Sequence, residues 1–108
     1  MFARGVHMHL KPNSIRELKA RLEKEVMPAL RKQTGFQNEL MFFAPSGREA
    51  LTISLWDRAE SAEAYNRTTY PEVTKILATL VEGTPRVETE TFDVANPAFH
   101  GMAATVTA

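Results

Sequence analysis

The residues best able to do chemistry in this chain are two histidines, His7 and His9, separated by one position. In an extended segment that spacing puts both imidazoles on one face, about 7 Å apart. Two such groups suit a shared metal ion or a pair of general acid–base catalysts. A metal would need a third ligand, for which His100, Glu88 and Glu90 are the candidate donors. Two histidines on an interface face are the plainer reading, and no metal is expected. Tyr65 and Tyr70 carry hydroxyls able to orient a substrate oxygen, and Asn66 lies beside Tyr65 as an amide donor. Aromatic residues on short helices equally serve packing. Trp56 is the only tryptophan and Phe42 one of two adjacent phenylalanines that must point to opposite faces of a strand. Arg48 and Arg86 can in principle anchor an anion, although arginines near turns are commonly solvated.

The composition narrows the field. The chain has 108 residues, with 13 basic and 13 acidic side chains that cancel. It lacks the positive footprint that phosphate binding requires, so no nucleic-acid partner is expected. With no cysteine there are no disulfides, thiolate–metal sites or cysteine nucleophiles. Phosphate loops, a nucleophile elbow and a dinucleotide fingerprint are absent, so no nucleotide cofactor is implied. No apolar run approaches membrane-spanning length and the start has no signal-peptide core; a cytoplasmic location is the expectation.

Alternation over Phe2 to Leu10 reads as a strand, with Phe2, Val6, Met8 and Leu10 on one face and Arg4 interrupting them. Ser14-Ile15-Arg16-Glu17 has capping-box spacing. Ile15, Leu18, Leu22, Val26, Ala29 and Leu30 then form one helical stripe. Pro28 should interrupt that helix and free the Lys24 carbonyl, and Gly35 should stop it. Phe36 to Ala44 and Ala50 to Trp56 read as strands joined by the Pro45–Arg48 turn, an antiparallel hairpin. A cap at Asp57–Glu60 opens a helix through about Thr68. A second piece begins at Pro71 and closes at Gly83, and a last strand covers Arg86 to Val94.

The order is β-α-β-β-α-β, a ferredoxin-like α+β domain over residues 1–94 with a tail over 95–108. Two helices cover one face of a four-stranded antiparallel sheet, leaving the other for solvent, ligand or a second subunit. Trp56, His7, His9 and the aromatics of the second strand are too bulky and apolar for a plain wet face. A homodimer is therefore expected.

Val26-Met27-Pro28-Ala29-Leu30 with Gln33-Thr34-Gly35-Phe36, and above all the run Thr52 to Tyr65, resemble the antibiotic-biosynthesis-monooxygenase-like branch of the dimeric α+β barrel superfamily. The resemblance covers roughly residues 1 to 94 and is a loose pattern. It implies a dimeric α+β barrel, and its members include cofactor-free oxygenases of quinols and anthrones, haem-degrading enzymes and isomerases. At the positions where the haem-degrading members carry asparagine, tryptophan and histidine, this chain has Val6 or His7, Tyr65 and Lys75. Haem degradation is disfavoured. The resemblance implies a cofactor-independent monooxygenase-like protein for a small aromatic, quinol- or anthrone-like substrate. In that reading His7 or His9 is the base, Trp56 and Phe42 are stacking walls, and Tyr65, Asn66 or Tyr70 orient the substrate. The alternative is a non-catalytic small-molecule-binding dimer on the same scaffold.

Overall fold

The computed structural model describes residues 1–91. The expected positions 92–94 and the tail 95–108, with Asp93 and His100, lie outside the described residues. Strand β1 (Phe2–Leu10) is followed by helix α1 (Ile15–Arg21), a π-helical turn (Leu22–Val26) and α2 (Met27–Arg31). The hairpin β2 (Phe36–Phe43) and β3 (Glu49–Trp56) comes next, then α3 (Ala59–Thr68), α4 (Tyr70–Leu77) and β4 (Val81–Thr91). The strands form one sheet in the order β2-β3-β1-β4, every pair antiparallel. This is the ferredoxin-like arrangement read from the sequence.

Leu18, Leu22, Val26 and Leu30 recur every four residues and are all buried, which presses the first helical segment onto the sheet. Ahead of Pro28 the helix widens, and the Met27 N–H donates to the Leu22 carbonyl five residues back. The wide turn sits where the proline removes a donor, so the helix absorbs the interruption as a π turn. Ser14 precedes α1 as expected, but with helical dihedrals and no side-chain cap bond. Its carbonyl accepts from the Leu18 N–H at 2.8 Å. The start of α3 likewise has no side-chain cap bond.

Two differences from the sequence reading matter for the site. The last strand starts at Val81, five residues earlier than the expected Arg86, because Val81 and Glu82 already pair with Leu10 and His9. Gly83, with φ +71°, and Pro85 sit in a register shift between those pairs and the next, a bulge and not a helix stop. Trp56 lies on the helix-covered face and is fully buried, not on the open face beside His7 and His9. Strand β3 turns its small and polar residues Ala50, Thr52 and Ser54 toward the helices and leaves Leu51, Ile53 and Leu55 on the other face, only partly covered.

Gly35 has φ +84°, and a methyl group there would run into the Asp57 carboxylate and the Ser61 side chain. Gly35→Ala should therefore lose at least about 2 kcal/mol from backbone strain and collision together. A lower urea midpoint with an unchanged slope would register it.

Candidate active site

The strand register sorts the helix-covered face of the sheet into rows. Phe2, Trp56 and Phe36 make the first, an aromatic row across β1, β3 and β2. Arg4, Ser54 and Glu39 make the second. Val6, Thr52 and Met41, then Met8, Ala50 and Phe43, make the next two. A polar row thus lies inside an otherwise apolar layer, and its central member is small.

Arg4 is only 3% exposed. Its Nη2 donates to the Asn66 side-chain oxygen at 2.7 Å. Its guanidinium carbon lies 4.1 Å from the Tyr70 ring centroid and 5.3 Å from that of Tyr65, so two aromatic faces hold the cation. Among the described residues no carboxylate forms an ion pair with it. A buried cation without a paired anion is costly, which makes this place receptive to an anionic oxygen.

Glu39 supplies the second charge of the row. Its Oε1 is buried without a hydrogen-bond partner among the described residues. Burial pushes its carboxyl up to about 7, against the opposing pull of Arg4. Burial also raises both Tyr65 and Tyr70, with Arg4 again pulling the other way. The tyrosines therefore keep their protons near neutral pH, which leaves their hydroxyls suited to donate and not to serve as bases.

Around these groups is a cavity of about 440 Å³. Arg4, Glu39, Ser54, Tyr65 and Tyr70 line it, and Thr74 and Lys75 of α4 add further polar groups. Leu22, Val26, Leu30, Val73 and Leu77 from the helices close it with apolar surface. The β4 bulge, Gly83–Pro85, and the end of α4 line its other side. Such a volume is in the range of small-ligand sites.

The structure brings Tyr65, Asn66 and Tyr70 together around Arg4. Asn66 accepts a hydrogen bond from the guanidinium, whereas the sequence reading gave it a donor's part. Trp56 does not line the cavity. Its ring lies 5.3 Å from Tyr65 and 5.6 Å, edge-on, from Phe36, and its Nε1 donates to the Ser54 Oγ at 2.9 Å. It backs Tyr65 from behind. His7 and Phe42 stand on the other face, in register through Leu51, with His9 beyond them opposite Glu49. Phe42 is 53% exposed there, and His7 and Phe42 share a shallow groove with Leu51 and Glu49. No cluster of three or more His, Asp or Glu side chains suited to a metal occurs among the described residues. Nor, among them, is any helix long and apolar enough to cross a membrane. Arg48 is engaged structurally, its Nε donating to the Leu10 carbonyl at 2.7 Å and its Nη2 pairing with Glu82 at 3.1 Å.

No protein-family model matches the chain, and no curated protein does. Solved structures do. A monooxygenase from the gene ActVA-Orf6 of Streptomyces coelicolor, in complex with the ligand nanaomycin D, has a TM-score of 0.74 and 17% identity, covering 88% of this chain and 89% of that one. A Bordetella bronchiseptica protein classed with the antibiotic biosynthesis monooxygenases has a TM-score of 0.73 and 10% identity, over 86% of this chain and 97% of its own. NE2512, a protein of unknown function from Nitrosomonas europaea, has a TM-score of 0.71 and 17% identity, over 88% of this chain and 91% of its own. The fold is that of the antibiotic biosynthesis monooxygenases. At such identities the likeness concerns the fold, and chemistry has to be argued from the residues.

Against that monooxygenase fold, the sequence reading missed Arg4 and Glu39 as a pair. The signal for Arg4 was present, a lone charge in an apolar alternation. Glu39 shares the parity of Met41 and Phe43, a weaker signal of the same kind. Glu39 also links site to stability. The folded chain keeps its proton to about pH 7, whereas an unperturbed carboxyl loses it near 4.5. Between those values the unfolded state binds fewer protons, so stability falls as pH rises through the window. Glu39→Gln should remove the fall, leaving the variant about 2 kcal/mol more stable than wild type at pH 8 and little changed at pH 4.5. Urea unfolding at the two pH values measures it.

Proposed function

We propose that the cavity binds a small aromatic hydroxy compound, quinol- or anthrone-like, and lets it react with dioxygen without a cofactor. The observation that carries this reading is the buried Arg4 guanidinium, in no ion pair among the described residues, in the lining of a cavity that is otherwise largely aliphatic. An ionised ring oxygen would settle beside that guanidinium, while the aliphatic walls accept the rings. Tyr65 and Tyr70 hold the guanidinium through their ring faces, and Asn66 fixes its orientation through one N–H. The fold likeness to a monooxygenase supports the same reading. An ionised quinol or anthrone is electron-rich enough to reduce dioxygen itself, so the protein's task is binding, ionisation and exclusion of water. For an anthrone, the methylene carbon becomes a carbonyl. One atom of dioxygen stays in the product and the other leaves as water.

The open sheet face supports a second element of the proposal, a homodimer. Leu40 and Phe42 are 41% and 53% exposed, and Ile53, Leu51 and Leu55 lie beside them. A contiguous apolar patch of this kind on a sheet face marks an interaction surface. Polar groups border it, Asn38 next to Leu55 and Glu49 next to His9. This is where His7 and His9 belong in the proposed assembly.

Anthrone serves as the probe. Wild type should bind it and consume one dioxygen per anthraquinone formed. Arg4→Met, which keeps the bulk and removes the charge, should weaken binding at least tenfold with an unchanged circular dichroism spectrum. Binding without oxygen uptake would favour the non-catalytic alternative. For the assembly, sedimentation should give a dimer that Leu40→Glu with Phe42→Glu converts to monomer.

A further inference from the structure

Resting on that reading of the cavity, we infer that Glu39 is its catalytic base: the carboxylate takes the acidic proton of the bound quinol or anthrone as the ring oxygen settles on Arg4, and returns it to the peroxide formed with dioxygen. The geometry comes from the register. Arg4 and Glu39 both pair with Ser54, one from each side, so they stand two strands apart in one row, about 10 Å between backbones. The residue between them is small, and its hydroxyl is occupied by the Trp56 Nε1. A ring plane can therefore sit over Ser54 with one side toward the guanidinium and the other toward the carboxylate. Glu39 lines the cavity beside Arg4, and its Oε1 makes no hydrogen bond among the described residues, so no partner in the described fold holds that oxygen.

The surroundings agree. From β1, Arg4 faces Glu39; from α3 and α4 come the Tyr65 and Tyr70 hydroxyls, and Lys75 lines the same cavity from α4. β3 contributes only the uncharged Thr52 and Ser54, and the first helical segment only aliphatic groups. The proton transfer moves the negative charge of the row from the Glu39 carboxylate to the ligand oxygen beside the Arg4 guanidinium. Net charge in the cavity does not change, so low polarity opposes the transfer little. A carboxyl held at about 7 is mostly ionised at pH 8 yet basic enough for the task.

The step balances. The carboxylate removes one proton from the ligand, giving its anion and Glu39 carboxylic acid. The anion gives its electrons to dioxygen, forming a carbon–oxygen bond and a peroxide. Glu39 returns its proton to that peroxide. Loss of water then breaks the oxygen–oxygen bond and leaves the carbonyl.

Anthrone binding is measured without oxygen at pH 8, in two buffers of different ionisation enthalpy, followed by oxygen uptake after aeration. In wild type the bound anthrone should show the visible absorption of its anion with no proton released to buffer. Glu39→Gln should bind within about threefold of wild type, leave the chromophore neutral and lower oxygen uptake at least hundredfold. Its rate should also lose the rise that wild type shows through about pH 7. Release of one proton per anthrone by wild type, or an ionised chromophore in Glu39→Gln, would overturn the assignment while leaving the cavity reading intact. Failure of wild type to bind anthrone would instead remove the cavity reading, and this inference with it. The proton count uses wild type alone, so it decides the matter even if the variant does not fold.

Discussion

The structure is organised around one constraint, the burial of the Arg4 guanidinium on the inner face of β1. A cation at 3% exposure has lost its hydration and must be compensated locally. Here two tyrosine faces and one amide oxygen do so. Each partner is held in turn. Trp56 packs behind Tyr65, and the Ser54 hydroxyl accepts from its indole. Tyr70 opens α4 immediately after the break at Thr69, whose hydroxyl accepts from Gln33, two residues beyond α2. The break between α3 and α4 is thus what lets Tyr65, Asn66 and Tyr70 converge on one group.

The same constraint accounts for the unusual partition of β3. A strand with Leu51, Ile53 and Leu55 at alternate positions would ordinarily bury that side beneath the helices. Here they face outward and Ala50, Thr52 and Ser54 face in. Small inward residues leave the volume that becomes the cavity, and Trp56 fills the end where the cavity stops. The consequence is an apolar outer face. Ligand room on one side of the sheet and a sticky surface on the other are two results of one alternation.

The order of elements was legible because each has a strong local pattern: the four-residue recurrence of Leu18, Leu22, Val26 and Leu30, the alternation of β1, and the Pro-Ser-Gly turn of the hairpin. What failed was local where tertiary contacts overrode it. Ser14 and Glu17 have capping-box spacing, yet Ser14 is buried with helical dihedrals and makes no side-chain cap bond. Gly83 and Pro85 look like breakers, and pairing with β1 absorbs them as a bulge. In the site, Tyr65, Asn66 and Tyr70 are legible because they are close in sequence. The Arg4–Ser54–Glu39 row is not, since it depends on the registers of two strand pairs, which no local pattern states. The histidine pair stands out in sequence for its residue type, and the fold puts it on the face away from the cavity.

The charge balance of that row also bears on which ligands it admits. At pH 8 the Arg4–Ser54–Glu39 row holds one fixed cation and one carboxylate that is mostly ionised, while Lys75, which lines the cavity from α4, is paired with Glu72, so the row is close to neutral when empty. A permanent anion would add an uncompensated charge to a low-dielectric space, and a permanent cation would compete with Arg4 for Glu39. A weak acid would avoid both penalties, because it would enter neutral and, under the proposed chemistry, pass its proton to Glu39 without changing the total. Selection for hydroxyarenes then needs no dedicated contact to each substituent, and the aliphatic walls can accept varied ring systems. Under the proposed chemistry, discrimination would lie in acidity first and shape second, because the row that would ionise the ligand is also the row that would hold it.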